Sequence, residues 1–132
     1  MNDRPALTRN QSMVLARLEQ AEGPLSAYAL LDQLRDDGFR APLQVYRALD
    51  ALMRSGHVHR LESLNSFVAC DGHHDHEGIT GFAICEVCGK VEEFTDPVVT
   101  ERLSHLGEGS GFRAKTAIIE LRGLCAACAA KG

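Results

Sequence analysis

Apolar positions recur at three- and four-residue intervals through the first half of the chain, the period of helices with one buried face. With Thr8 as N-cap, "RNQSMVLARLEQAEG" carries Val14, Leu15 and Leu18 on one stripe and runs out at Gly23-Pro24. Ser26 then caps "AYALLDQLRDDG", where Leu30, Leu31 and Leu34 align and Gly38 is the stop. Pro42 opens "LQVYRALDALMRSG", which ends at Gly56. Val45, Leu49, Leu52 and Met53 fall on one face of that third segment, with Gln44, Arg47, Asp50, Ala51 and Arg54 on the other. Two short β-type runs follow, "HVHRLES" and "NSFVAC", joined near Leu64-Asn65 as a hairpin. Three short helices and a hairpin, in that order, predict a winged helix-turn-helix whose third helix enters a DNA groove.

The second half changes period. "FAICEVCGKVEEF" predicts two strands around a tight turn, and "DPVVTERLSHLGEG" a helix with Val98, Val99, Leu103 and Leu106 on one side. A third strand is expected over Ala117 to Leu121. The fold class is therefore α/β (α+β), a winged helix followed by a small C-terminal α/β domain. The expected division is residues 1–70 for the winged helix, 71–81 for a His-rich hinge and 82–132 for the second domain. Strand, strand, helix and strand in so short a piece bury little, so a sheet shared between two copies would complete the core.

Composition sharpens this outline. Of 132 residues, 45% are hydrophobic and 24% charged, which is globular, and only 5% are aromatic, so the core is aliphatic. Residues 1–69 are electrically neutral, every basic side chain among them an arginine, while residues 70–132 carry the whole net charge of −4. Arginine is the side chain best suited to phosphates and guanine edges, so Arg47, with Tyr28 and Tyr46 nearby, is a candidate DNA contact. The competing view makes Arg47 and Arg54 solvated charges and both tyrosines half-buried packing. No apolar run approaches the roughly 18 residues that span a bilayer, and "MNDRPALTRNQS" has no apolar signal core. A cytoplasmic protein is expected, in which five cysteines serve as ligands or reactive thiols rather than disulfides.

Two CxxC pairs, Cys85/Cys88 and Cys125/Cys128, are the strongest spacing signal in the chain. They can supply four thiolates to one tetrahedral zinc ion, a closed and therefore structural site. Disulfides, a redox thiol pair or an iron centre are the alternatives. Cys70 remains, with His57, His59, His73, His74 and His76 around it in sequence. His57 and His59 share a face of their run, and His59 can approach Cys70 across the hairpin. A mixed thiolate and imidazole set at a domain hinge is open, reversible and pH-sensitive, and its sulfur favours zinc over manganese or magnesium. A hydrolytic zinc enzyme with Glu77 or Glu93 as base lacks support, because neither an HExxH helix nor a deaminase pattern is present.

Nearly the whole chain resembles the ferric uptake regulator family. The residues that carry the resemblance are "LTRNQSMVLARL", "SAYALLDQLR", "PLQVYRALDALMRSGHVHRLESLNSFVAC", the His-rich linker, "ICEVCGKVEEF" and "LRGLCAAC". "SAYALLDQLR", "LNSFVAC" and "GLCAAC" favour its zinc-responsive members over the iron, manganese, nickel and peroxide sensors. The resemblance implies a transcriptional repressor rather than an enzyme, a homodimer joined through the C-terminal α/β domain. It implies double-stranded palindromic operator DNA as partner, with no membrane and no small-molecule substrate. It also implies two zinc ions per protomer: a structural one on the four cysteines and a regulatory one on His59, Cys70, a linker histidine and Glu93. His76 is preferred as that histidine, with His74 as the alternative. Tyr28 and Arg47 match DNA-contacting positions, and Tyr46 and Gln44 join them. The linker is longer than usual, and Thr116 or Lys115 stands where many members have a histidine, which weakens any third site built from His73, Asp75 and Glu92. A sibling sensor for iron, manganese or peroxide is the alternative, and a redox CxxC protein a more distant one.

Overall fold

The computed structural model describes residues 6–70, 80–113 and 117–131. The chain divides into two compact units, Met1–His74 and Asp75–Gly132.

The first unit contains α1 (Arg9–Gln20), α2 (Ala27–Leu34), α3 (Pro42–Arg54), β1 (Val58–Leu61) and β2 (Ser66–Ala69). Each helix start has an identifiable cause. Thr8 and Gln11 form a reciprocal capping box, Thr8 Oγ1 accepting from Gln11 N at 3.1 Å and Gln11 Oε1 from Thr8 N at 3.2 Å. Ser26 Oγ accepts from Ala29 N at 3.1 Å at the head of α2. After Leu34 the second helix tightens into one 3₁₀ turn, Arg35–Asp37, before Gly38 ends it at φ +100°. Inside, Val14, Leu18, Ala27, Leu30, Leu31, Leu34, Val45, Ala48, Leu49 and Leu52 form one core with Phe39, Val58 and Phe67. Ala48 rather than Met53 completes the buried face of α3; Met53 is half-buried against its edge.

The hairpin β1–β2 is antiparallel, with Val58 opposite Ala69 and His59 opposite Val68. Asn65 turns it at φ 47°, held by Arg60 Nη2 donating to Asn65 Oδ1 at 2.9 Å. Leu25 adds a third, single-residue rung by exchanging backbone hydrogen bonds with Phe67 at 2.8 and 3.1 Å. That bridge ties the wing to the segment between α1 and α2.

The second unit holds β3 (Thr80–Cys85), β4 (Val91–Thr95), α4 (Pro97–Leu106), β5 (Ile119–Gly123) and α5 (Ala126–Lys131). Its sheet has the order β4-β3-β5, β3 pairing antiparallel with β4 and parallel with β5. Asp96 Oδ1 caps α4 by accepting from Val98 N and Val99 N at 2.8 and 3.2 Å, with Pro97 in the first helical position. The last strand lies two residues later than the sequence period suggests, over Ile119–Gly123 rather than Ala117 to Leu121. The reason is register. Parallel pairing sets Gly81 against Ile119 and Cys85 against Gly123, and alternation of side chains alone does not report that pairing. Burial is sparse: Phe82, Ile84 and Cys85 are buried, while Val98, Leu106, Phe112, Ile118, Leu121 and Leu124 are exposed.

Candidate metal centres and the exposed face of the third helix

The parallel pairing of β3 with β5 brings the two CxxC pairs together. Cys85 ends β3 directly opposite Gly123, and Glu86 N donates to Gly123 O at 2.8 Å, so the chain after β5 arrives beside the turn after β3. That turn is closed by Gly89 N donating to Cys85 O at 3.1 Å, with Gly89 at φ +79°. On the other side Ala129 N donates to Cys125 O at 2.8 Å, which folds Cys128 back over Cys125 in α5. All four sulfurs lie within 4.8 Å of one another, and Cys88 Sγ is 3.7 Å from Cys125 Sγ. A tetrahedral ion with sulfurs about 2.3 Å away requires sulfur separations of about 3.8 Å, so the set fits zinc with a small contraction. None of the five cysteines is in a disulfide.

The electrostatics of Cys85, Cys125 and Cys128 explain why a cation suits the set. Cys85 is held down at about 5, chiefly by the backbone N–H of Cys88 and then that of Cys125. Cys125 is lowered mainly by the N–H of Cys128. Cys128 is pushed up to about 12, because its S–H hydrogen-bonds first to Cys125 and then to Cys85. Cys85 and Cys125 thus already lean towards thiolate around the Cys128 proton, and a divalent ion would take over that proton's bridging role.

The wing carries the second set. Cys70 N donates to His57 O at 2.7 Å, extending the hairpin by one rung beyond Ala69. This places Cys70 on the face of the hairpin that carries His57 and His59, and the ligand atoms of His59 and Cys70 are within 4.8 Å of each other. Both side chains are half-buried. His57 Nδ1 is 2.7 Å from Ser55 Oγ, and the Ser55 hydroxyl also lies 3.1 Å from Leu52 O. In the other unit Glu93 is half-buried on β4, opposite Phe82. His74 and His76, with His73, Asp75, Lys115 and Thr116, lie outside the described residues. Glu92 is exposed and paired with Lys90 at 3.1 Å.

On α3 the outward stripe is Leu43, Tyr46, Arg47, Asp50 and Arg54, all exposed. Tyr28 is 64% exposed near the head of α2. Gln44 differs from its neighbours. Its Oε1 accepts from Arg40 N at 2.6 Å and Ala41 N at 3.0 Å, and the residue is half-buried. It caps α3 where Ala41, at the N-cap, has no side-chain acceptor.

Comparison with known proteins places the chain. Residues 6–122 match the profile of the ferric uptake regulator family. The chain belongs to that family. It is similar to the zinc uptake regulation protein of Escherichia coli (strain K12), 40% identical over 123 residues that cover 92% of this chain and 72% of that protein. Among solved structures it resembles holo XcZur, with a TM-score of 0.86 and 41% identity over 94% of this chain and 86% of that one. It also resembles a zinc uptake regulator complexed with zinc and DNA, with a TM-score of 0.89 and 38% identity over 96% of this chain and 85% of that one.

Within this family frame, two features of α3 escape a reading by helical faces. The angle of Gln44 on the helix makes it an outward polar residue, yet its position three after the N-cap is where a glutamine turns back onto the preceding backbone. Leu43 is 56% exposed in a first turn that hydrophobic periodicity does not mark.

Proposed function

We propose that this protein is a zinc-responsive transcriptional repressor that acts by binding, not by catalysis. A dimer of the chain, loaded with zinc, binds palindromic operator DNA and represses zinc-uptake genes in the cytoplasm. Each protomer takes two zinc ions. Cys85, Cys88, Cys125 and Cys128 hold one, a closed site that staples an under-filled second unit. His59, Cys70, Glu93 and a linker histidine, His76 in preference to His74, hold the regulatory one. Tyr28, Tyr46 and Arg47 serve the DNA face, and Gln44 supports it by capping the first turn of α3. Dimerisation through the second unit is supported by its exposed apolar side chains, among them Leu106, Phe112, Ile118 and Leu121.

The observation that carries the reading is the His59–Cys70 pair, within 4.8 Å on the wing of the DNA-binding unit itself. A metal held there is attached to the element that must be oriented on DNA, so occupancy and DNA affinity are linked. The thiolate selects zinc over the harder divalent ions. Zinc then narrows the orientations of the two winged helices to those that fit successive major grooves, and operator DNA tightens zinc binding by the same factor.

The test is a zinc titration of the purified protein, scored by metal content per protomer and by binding to a palindromic family-type operator. One tightly held zinc in the inactive protein, and a second, chelatable equivalent that switches on DNA binding, is the expected result. DNA binding indifferent to the second equivalent refutes the switch, and an iron-dependent response would assign the chain to the iron sensors of the family.

A further inference from the structure

A lone exposed leucine is ordinary on a protein surface, and Leu43 gains meaning only from its neighbours. The buried face of α3 is complete without it, made by Val45, Ala48, Leu49 and Leu52. Leu43 lies instead one turn before Tyr46 and Arg47 on the exposed stripe, at the N-terminal end of the helix, where recognition helices reach base edges. Beside it, Gln44 is spent. The two-point contact by which glutamine reads adenine uses its amide oxygen and nitrogen together, and here the oxygen is already committed to Arg40 N and Ala41 N. Only the amide NH2 is left, which donates but has no acceptor beside it to complete the two-point contact. The first turn of α3 therefore turns an aliphatic side chain, not a two-point polar reader, towards the DNA. The one feature of the major groove that an aliphatic side chain distinguishes is the 5-methyl group of thymine.

We propose that Leu43 is a specificity-determining residue of this chain and that it reads a thymine methyl in each operator half-site. The inference rests on the DNA-binding reading above and adds to it a chemical preference: thymine over cytosine or uracil at one symmetric position. Arg47 supplies the charged contact one turn along the same stripe, and Leu43 sets what the first turn accepts.

The test uses the zinc-loaded full chain and a palindromic duplex that it selects from a randomised pool. The same duplex is resynthesised with deoxyuridine replacing thymine at each symmetric pair in turn, which removes only the methyl group. At one pair the wild-type protein is expected to lose about four-fold in affinity per half-site, the equivalent of one buried methyl. Leu43→Ala, a substitution at an exposed helical position by a good helix former, is expected to bind the thymine and uracil duplexes equally. Wild-type binding that ignores every thymine-to-uracil exchange overturns the proposal, as does a Leu43→Ala protein that keeps the full methyl preference. If the zinc-loaded wild type selects no duplex at all, the failure lies with the regulator reading itself, and the role of Leu43 falls with it.

Discussion

Replacing Gln44 by alanine separates a helix cap from a base contact. The side chain accepts two backbone hydrogen bonds, from Arg40 N at 2.6 Å and Ala41 N at 3.0 Å, and Ala41 offers no side-chain acceptor of its own. Each such bond contributes roughly 0.5–1.5 kcal/mol net, and loss of a side-chain cap costs roughly 0.5–2 kcal/mol. Gln44→Ala is therefore expected to destabilise the winged-helix unit by about 1–2 kcal/mol. At roughly 4–8 °C per kcal/mol for a unit of this size, its melting transition falls by roughly 5–15 °C. Gln44→Glu keeps the acceptor, places negative charge at a helix N-terminus where it is favourable, and should melt close to the parent. Calorimetry reads the transition, and hydrogen exchange reads the cause: the amides of Arg40 and Ala41 should lose protection in the alanine variant alone. An alanine variant that melts like the parent, leaves both amides protected and yet loses operator affinity would refute the reasoning, because the side chain would then be reading DNA.

Three further outcomes follow from the metal centres and the sheet. Cys70→Ser should keep the folded dimer and the tightly held zinc while zinc-dependent DNA binding disappears; an unfolded monomer in sedimentation would make Cys70 structural instead. Zinc loading at pH 7 should release protons, because Cys128, pushed up to about 12, must give up its own; calorimetric titration in buffers of different ionisation enthalpy measures this, and an enthalpy independent of buffer would contradict it. Gly81 lies opposite Phe94 across β3 and β4, and a methyl group there would overlap the Phe94 ring. Gly81→Ala is thus expected to cost about 1–3 kcal/mol in denaturant unfolding, and much less when Phe94→Leu is also present; an equal cost in both backgrounds would remove the ring as its cause.

What was legible in the sequence was whatever depends on local chemistry. Thr8 and Ser26 as caps, Pro42 as a helix start, Gly38 as a stop and the turn near Asn65 are all properties of one residue and its neighbours within four positions. The CxxC spacing was equally plain, because two sulfurs three residues apart face one point whatever surrounds them. Pairing between distant segments was not legible. The parallel register of β3 with β5 moved the last strand to Ile119–Gly123, and it is this register that carries Cys125 to Cys85. Nor does periodicity announce the rung between Leu25 and Phe67, since a single residue has no period. Gln44 was placed correctly on the helix and given an incomplete role, because a helical angle gives where a side chain starts and not which backbone groups it turns back to meet.

The proposed regulatory site also has an internal asymmetry that sets how its ligands should fail. A ligand shifts a conformational equilibrium only through its differential affinity for the two states, and moving a population from 1:99 to 99:1 requires a difference of about 5.5 kcal/mol. His59 and Cys70 are both on the wing and already within 4.8 Å, so the zinc affinity they provide is nearly the same whatever the second unit does. That part fills the site and shifts nothing. The coupling must come from the ligands that are not on the wing, which in the proposed set are Glu93 and the linker histidine. Cys70→Ser and Glu93→Ala should therefore differ in kind. The first loses the switching zinc outright. The second keeps a weaker zinc, held by the wing pair and its imidazole partner, yet loses most of the zinc-induced gain in operator affinity even when zinc is saturating. Measuring operator binding at saturating zinc for both variants decides the matter. A Glu93→Ala protein that regains full operator affinity once enough zinc is added would show that Glu93 supplies affinity alone, and would move the coupling to the linker histidine.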